Sequence, residues 1–288
     1  MLSRTGVLLM RAFAHLPLSW VRAMGWMLGR LLFALAGSRR RIVSINLELC
    51  FPQIGAAQRR ALALEVFVNF ARAWLDRGWL WHGAAQVLRR RLRIVGETHE
   101  LDGNTPIVLF APHFVGLDAG WTALTGQVSR AFVTIYTHQA NAIVDDWILR
   151  GRERFGQPRL FDRAAGVKPL VLALREGAAL YLLPDMNYGL PESVFLPFFG
   201  VQAATVTSMS RLARLGRATV VPVVTRMTPD GYEVRVMKSW EQYPSTDVEA
   251  DTLRMNRALE QYVQAMPGQY YWVHKRFKDR PEGQAPVY

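Results

Sequence analysis

His113 and Asp118 are the residues of this chain whose types and spacing most clearly indicate chemistry. An apolar run, Ile107–Phe110, leads into a turn at Pro112, and His113 follows directly, five positions ahead of Asp118. On a continuous helix, five residues turn through about 500°, which leaves the two side chains about 140° apart. They can therefore meet only if His113 lies in the loop before the helix. There the carboxylate could accept a hydrogen bond from imidazole Nδ1–H, leaving Nε2 to take a proton from a substrate hydroxyl that attacks a thioester.

The same pair also has a purely structural interpretation, in which the histidine satisfies a turn beside an ordinary aspartate at a helix start. Signatures of several other catalytic classes are missing from the sequence, which has no G-x-S-x-G, P-loop, G-x-G-x-x-G, H-E-x-x-H or paired C-x-x-C motif. These absences argue against a serine α/β-hydrolase, a P-loop nucleotidase, a Rossmann dehydrogenase and the common zinc enzymes. We expect neither a metal nor a cofactor.

Short apolar runs alternate with helical patterns from residue 92 onward, which is typical of an α/β layer structure. The runs predict strands near residues 92–95, 107–110, 131–136, 179–183, 220–224 and 232–237. The patterns between and after them predict helices near residues 119–125, 143–155, 167–175, 205–215 and 247–265. Helical spacing dominates the first ninety residues. Since no repeat, low-complexity tract or flexible linker divides the chain, we predict one α/β domain with an N-terminal helical extension.

The composition indicates a packed fold, although the chain is strongly basic. Half of its 288 residues are hydrophobic, and 35 Lys and Arg against 23 Asp and Glu give a net charge of +12. A disordered basic tail combines high charge with low hydrophobicity, so this composition excludes one. The single cysteine, Cys50, cannot form an internal disulfide, which favours a cytoplasmic environment.

The positive charge is concentrated in the first hundred residues, which hold 15 Arg and no Lys against 5 acids. A bilayer-spanning helix needs about 20 mostly apolar residues, but Arg11, Arg22 and Arg30 interrupt the apolar stretch at this end of the chain. Basic charge interleaved with Trp and Leu instead predicts an amphipathic helix on a membrane surface. We therefore predict a membrane-associated helical segment over residues 1–45, and a second unit, which carries the chemistry, over residues 46–288.

The pattern is clearest in a helix predicted to begin at Ser19 and to stop at Gly37, before the basic cluster Arg39–Arg41. The alternative is an arginine-bearing helix that packs against the rest of the fold. Gly25 and Gly29, at four-residue spacing, would allow another helix to approach closely.

Six ordered motifs make the chain resemble the lipid A biosynthesis late acyltransferases of the lauroyl-transferase type, within the wider H-x4-D/E glycerolipid acyltransferase superfamily. The resemblance runs along most of the chain. Its motifs are Asn46–Pro52, His113–Asp118, Gly151–Arg154, Leu183–Gly189, Ser193–Gly200 and Tyr271–Lys278, the last followed by Arg280–Gly283. The resemblance implies an acyltransferase domain over residues 46–288, with a central mixed sheet flanked by helices.

The function implied by the resemblance is transfer of a fatty acyl chain from acyl carrier protein to a hydroxyl of a Kdo-modified lipid A precursor. The reaction would belong to lipopolysaccharide biosynthesis, at the cytoplasmic face of the inner membrane, with membrane lipids as further partners. One alternative is the same H-x4-D chemistry on another glycolipid or phospholipid. Another is a non-catalytic basic module that binds membrane or nucleic acid.

The resemblance also implies roles for individual residues. The family's catalytic histidine and acid fall on His113 and Asp118, and its functionally important arginine and aspartate fall on Arg152 and Asp185. Arg152, with Arg150 and Arg154 nearby, would present a forked donor to a phosphate of the lipid A disaccharide or of the carrier's phosphopantetheine arm. The alternative, which we prefer for Arg150, is a solvent-exposed helix face. Asp185 would orient a sugar, position Arg152 or close a turn.

Two positions depart from the family's pattern. Many members have Glu where this chain has Asp118, a change that keeps the carboxylate. Many also have an acid where this chain has Asn187, and that change removes a charge and argues against a catalytic or metal role at this position.

The C-terminal motif Trp272–Lys278 mixes aromatic and basic residues, as nucleic-acid sites also do. Because of the resemblance, we favour packing together with contact to acidic headgroups or to the acidic acyl carrier protein. We expect no nucleic-acid partner.

Overall fold

The computed structural model describes residues 2–288, with side chains from residue 4 onward. The described helices are α1 (Leu2–Phe13), α2 (Leu18–Leu35), α3 (Gly37–Cys50), α4 (Ala56–His82), α5 (Ala85–Arg91), α6 (Leu117–Gln127), α7 (Ala142–Arg152), α8 (Lys168–Arg175), α9 (Ser208–Gly216) and α10 (Val248–Ala265). The described strands are β1 (Leu92–Gly96), β2 (Ile107–Phe110), β3 (Phe132–Tyr136), β4 (Arg159–Asp162), β5 (Ala179–Leu182), β6 (Ser193–Phe198), β7 (Val201–Val206), β8 (Thr219–Thr228) and β9 (Gly231–Val236).

Seven of these strands form one sheet in the order β1-β9-β8-β2-β5-β3-β4. All neighbours in it are parallel except β8 and β9, which are antiparallel. Helices pack on both faces, so the mixed α/β fold predicted from the sequence is confirmed. The parallel centre places the carboxyl ends of β2, β3 and β5 at one edge of the sheet, where α/β folds gather their site residues.

The hairpin of β6 and β7 was not predicted, and neither was the edge strand β4. Residues of β6 are half-buried at five successive positions, so no alternation of polar and apolar residues marks the strand. A two-residue turn with positive φ at Phe199 and Gly200 joins the two strands. The predicted helix start at residue 205 is wrong because Thr205 and Val206 pair within β7, and α9 begins at Ser208.

Alternation along β2 divides the core into two layers. Val108 and Phe110 pack with α3, α8, α9 and α10, whereas Ile107 and Leu109 pack with α6 and the second half of α4. Successive strand residues point to opposite faces, so the fully buried run on β2 serves both layers.

The N-terminal helix α2 packs closely along α4 through its two glycines. A Cβ on Gly29 would lie 2.4 Å from Val68 Cα, and a Cβ on Gly25 would lie 2.8 Å from Arg72 Cα. The close packing indicated by the glycine spacing is therefore confirmed. The helix predicted from Ser19 is α2, but it ends at Leu35, and Gly37 begins α3 instead of ending the helix.

A buried ion pair also holds α2 against the core. An Arg22 Nη lies 3.0 Å from Asp76 Oδ2, and Tyr232 and Trp79 donate hydrogen bonds to the same carboxylate at 2.6 and 2.9 Å. The predicted division between residues 45 and 46 falls within α3, where buried Asn46 donates to the carbonyl of Trp272 at 2.7 Å.

The opposite face of α2 remains apolar and exposed. The exposed large side chains of α1 and α2 are Leu8, Leu9, Trp20, Trp26, Met27, Leu31 and Leu35. One side of the helix therefore packs against α4, which confirms the packing interpretation of its sequence, and the other side faces outward. Within residues 2–288, no helix is both long enough and apolar enough to cross a bilayer.

Candidate active site

His113 and Asp185 come together at the carboxyl ends of two adjacent parallel strands. His113 lies in the loop after β2 and Asp185 in the loop after β5, and these strands pair from Ile107 with Ala179 to Phe110 with Leu182. Imidazole Nδ1 lies 2.8 Å from Asp185 Oδ1. The backbone N–H of His113 donates to Asp185 Oδ2 at 3.0 Å. One carboxylate therefore holds both the ring and the backbone of the histidine.

Asp185 is completely buried, with a side-chain exposure of 0%. Its Oδ2 also accepts a hydrogen bond from the Tyr270 hydroxyl at 3.0 Å. Burial opposes ionisation of this carboxyl, but the nearby charge and the hydrogen bonds of His113 outweigh burial and lower its pKa. Asp185 is thus held as a carboxylate facing imidazole Nδ1.

The segment after α10 fixes the loop that carries His113. The N–H of Tyr271 donates to the carbonyl of His113 at 3.0 Å, and the N–H of Val115 donates to the carbonyl of Gln269 at 2.8 Å. The Tyr271 ring centroid also lies 6.2 Å from that of the imidazole. These contacts tie the loop that carries the histidine to the segment after α10.

Asp118 does not pair with His113 as predicted, because two arginines occupy both of its oxygens. Arg77 Nε and an Arg77 Nη both lie 2.7 Å from Asp118 Oδ2, and Arg152 Nε lies 2.9 Å from Oδ1. Asp118 stands in the first turn of α6, so its side chain meets α4 and α7, whereas His113 in the preceding loop meets the end of β5. The carboxylate that holds the imidazole is Asp185.

Two opposing effects set the pKa of the Asp118 carboxyl. Burial raises the pKa, but the charges and hydrogen bonds of Arg152 and Arg77 lower it by a larger amount, and the result is a pKa of about 2. The ionised carboxylate therefore contributes stability that is complete above its ordinary pKa near 4 and is lost only as the pH falls toward 2.

A cavity of about 640 Å³ lies in front of these residues. Its wall carries the imidazole and the arginine pair together with a large apolar and aromatic area. The polar side chains in this wall include Arg77, His113, Asp118 and Arg152. Apolar and aromatic residues around them include Phe70, Trp74, Trp121, Leu170, Tyr181, Leu212 and Tyr271. Such a cavity can hold an acyl chain and a polar reacting group side by side.

Arg154 lies outside this group and serves the backbone. Its two Nη atoms donate to the carbonyls of Leu80 and Gly83 at 3.0 and 2.6 Å, at the C-terminal end of α4. These carbonyls occupy the outer nitrogens of Arg154, which does not line the cavity, and its contact with substrate stays a prediction.

Asn187 and the C-terminal motif contact each other next to the site. Asn187 Oδ1 accepts from the N–H of Gly189 at 2.9 Å, and its own N–H donates to His274 Nε2 at 3.0 Å. Burial, followed by the charges of His113 and Arg276, lowers the pKa of His274 to about 4. Trp272 and Arg276 are buried, so the packing predicted for this motif is confirmed for these residues.

Arg77 is a site residue that the sequence did not reveal. It lies in the helical text of α4, 41 residues before Asp118 and in no recognised motif. The second half of α4 also carries Arg72, Asp76 and His82, so no local signal singled out Arg77, and the tertiary contact with α6 was needed to identify it.

Comparisons with known proteins agree on the class of protein. The family model for "Bacterial lipid A biosynthesis acyltransferase" matches residues 2–279. The chain is 33% identical over 275 residues to the lipid A biosynthesis lauroyltransferase of Escherichia coli K12, covering 93% of this chain and 89% of that protein. It is 30% identical over 268 residues to the lipid A biosynthesis myristoyltransferase of the same organism, covering 91% and 82%.

The solved structures also include a similar chain. The crystal structure of the 1-acyl-sn-glycerophosphate acyltransferase PlsC from Thermotoga maritima aligns with a TM-score of 0.38 and 11% identity, covering 86% of this chain and 99% of that one.

Proposed function

Because the chain belongs to the bacterial lipid A biosynthesis acyltransferase family, it is an acyltransferase, and we propose that it moves a fatty acyl chain from acyl carrier protein to a hydroxyl of a Kdo-modified lipid A precursor. Family membership removes the non-catalytic alternative. The proposed step belongs to late acylation in lipopolysaccharide biosynthesis.

The observation that carries the mechanism is the contact between His113 and Asp185 beside the cavity. Since Nδ1 faces the carboxylate at 2.8 Å, Nε2 is the nitrogen available to a substrate. The imidazole takes the proton of the acceptor hydroxyl while the hydroxyl oxygen attacks the thioester carbonyl. A new C–O bond forms, the C–S bond breaks, and the imidazolium returns the proton to the leaving sulfur. His113 is the general base, and Asp185 positions it and stabilises its charged form.

Asp118 and Arg152 serve substrate binding in this proposal. Asp118 orients the guanidinium of Arg152 through Nε at 2.9 Å, and the outer nitrogens of Arg152 remain beside the cavity. Asp118 therefore acts through the arginine, although its place in the H-x4-D motif predicts a direct contact with the histidine.

The surface of the N-terminal helices supports placement at the cytoplasmic face of the inner membrane. Exposed Trp20 and Leu31 lie on the side of α2 that faces away from α4, and the guanidinium of Arg30 lies 4.8 Å from the Trp26 ring. An apolar surface flanked by arginines suits an anionic bilayer. The net charge of +12 also favours contact with an acidic carrier protein.

The test is transfer of labelled acyl from acyl carrier protein to the tetraacylated, Kdo-modified precursor by the purified protein. His113→Ala is expected to reduce turnover at least about 100-fold, because it removes the general base. Arg150→Met serves as the matched control, since Arg150 is a solvent-facing residue of α7. Full turnover by a folded His113→Ala variant would show that the mechanism is wrong.

An acceptor panel tests the substrate separately. If another glycolipid or a phospholipid is acylated faster than the lipid A precursor, the chemistry stands and the proposed acceptor does not.

A further inference from the structure

Two guanidinium groups meet at one carboxylate in the wall of the cavity. Arg77 comes from α4 and Arg152 from the end of α7, and Asp118 of α6 bridges them with one oxygen each. The side chains of Arg77 and Arg152 keep exposures of 18% and 21%, while that of Asp118 is 6% exposed. The carboxylate is thus enclosed, and both cations reach the cavity.

An aromatic ring lies next to each guanidinium. The Cζ atom of Arg77 lies 4.2 Å from the centroid of the Trp74 ring and 5.5 Å from that of Trp81. The Cζ atom of Arg152 lies 5.6 Å from the centroid of the Tyr136 ring. A cation–π contact favours one position of each cation, which helps to present its N–H groups to a ligand.

Several donors of this pair have no partner in the protein. One Nη of Arg77 and both Nη groups of Arg152 donate to no acceptor within the part of the chain described by the structure, residues 2–288. Planar guanidiniums with free outer nitrogens are suited to bidentate recognition of phosphate oxygens.

The charge balance also favours an anion. Two guanidiniums share one carboxylate, which leaves an excess of one positive charge at this point of the wall. The other acids that line the cavity are Asp162 and Glu192. Asp162 is half-exposed and faces His138 Nε2 at 3.2 Å, so it is already paired with another group.

We propose that Arg77 and Arg152 together form a binding site for a phosphate group of a substrate, with Asp118 holding the two cations in register. The inference rests on the proposed function and adds Arg77 to it. Two substrates carry suitable phosphates: the sugar phosphate of the acceptor lipid, and the phosphodiester of the phosphopantetheine arm that holds the acyl donor. Arg77 binds and positions the substrate, and it exchanges no proton with the reacting atoms.

The experiment compares substrates with and without phosphate in the full-length protein. Binding of the acceptor disaccharide lipid is titrated calorimetrically in its phosphorylated and dephosphorylated forms, for wild type and for Arg77→Met. KM is also measured for acyl-phosphopantetheine and acyl-pantetheine donors. We expect Arg77→Met to weaken binding of the phosphorylated lipid, or to raise KM for the phosphorylated donor, about 10- to 100-fold, which is the range of a lost charge-assisted hydrogen bond. The corresponding values for the dephosphorylated compounds should not change.

The measurement that changes, either binding of the acceptor or KM for the donor, identifies the source of the phosphate. A loss confined to the acceptor assigns the site to the lipid, and a loss confined to the donor assigns it to the carrier arm. Arg150→Met on the same helix as Arg152, with a side-chain exposure of 76%, is the matched control and should change neither.

A second variant keeps the test decisive if Arg77→Met fails to fold. Arg77→Lys retains the charge but not the fork, and we expect a smaller loss of about 5- to 10-fold for the phosphorylated partner alone. Equal effects on phosphorylated and dephosphorylated partners, or no effect on either, would overturn the inference. The titration does not depend on turnover, so a wild-type protein that binds the phosphorylated lipid without acylating it refutes only the proposed function.

Discussion

At the scale of single residues, the site contains two buried carboxylates that contact different partners. Asp185 faces the imidazole at 2.8 Å, and Asp118 faces two guanidiniums at 2.7 and 2.9 Å. Both have lowered pKa values, each because the charge and the hydrogen bonds of its partners outweigh the effect of burial. Their roles nevertheless differ, since one neighbour carries a transferable proton and the other neighbours are permanently charged.

Asparagine substitutions separate the two roles. Asp185→Asn keeps the shape but removes the charge that stabilises the imidazolium, so we expect kcat to fall about 1,000-fold with little change in KM. Asp118→Asn leaves the imidazole contact intact and loosens the arginine pair, so we expect its main effect on KM and on the free energy of unfolding. Steady-state kinetics and chemical unfolding of both variants distinguish them, and a larger kcat loss in Asp118→Asn would contradict this division.

At the scale of elements, α4 connects the N-terminal helices with the site. Its residues Val68 and Arg72 receive the glycine face of α2, whereas Arg77, which follows Arg72 along the helix, reaches Asp118. The Arg22–Asp76 ion pair lies between these two contacts. Displacement of α2 would therefore act on the same helix that positions Arg77.

Gly29→Ala tests the packing of α2. Its Cβ would lie 2.4 Å from Val68 Cα, a backbone atom that cannot rotate away, so the two helices must separate. We expect a loss of about 1–3 kcal/mol in the free energy of unfolding, the usual range for overpacking. Gly37→Ala is the control, because a Cβ there meets nothing within 4 Å. Chemical unfolding curves provide the comparison, and equal stabilities of the two variants would show that the close contact carries no energetic weight.

At the scale of the whole molecule, charge and apolar surface are concentrated at the N-terminal helices, while the proposed catalytic groups lie at the carboxyl edge of the sheet. The chain carries +12, of which most arises in the first hundred residues. Trp20 is 66% exposed and Leu35 is 74% exposed, although Val21 and Phe33 on the other side of α2 are buried. An exposed apolar side of this kind suits a second apolar environment, and we propose that this environment is a bilayer surface.

A double variant tests this surface. Trp20→Glu with Leu31→Glu removes apolar area and adds negative charge, so we expect binding to vesicles of phosphatidylglycerol and phosphatidylethanolamine to weaken at least about 10-fold. Leu215→Glu is the matched control, since Leu215 is an exposed leucine of α9. Co-sedimentation with vesicles measures the binding, and unchanged affinity of the double variant would exclude this face as the membrane contact.

The sequence by itself was sufficient for the fold class, six strands of the main sheet and the family, because these depend on local periodicity and on motifs contiguous in the chain. It also identified His113, Asp118, Arg152 and Asp185 as residues of interest. It did not reveal the half-buried hairpin of β6 and β7, which carries no alternation.

Only the tertiary structure decided which of these residues meet. The pairing of β2 with β5 brings Asp185 to His113 across 72 positions of sequence, and the crossing of α4 over α6 brings Arg77 to Asp118. The spacing of five residues in H-x4-D limits how far apart His113 and Asp118 can lie, but the contacts of each depend on which strands are neighbours and which helices cross. Neighbouring strands are chosen by burial of the whole sheet, and that choice leaves no mark on any short stretch of sequence.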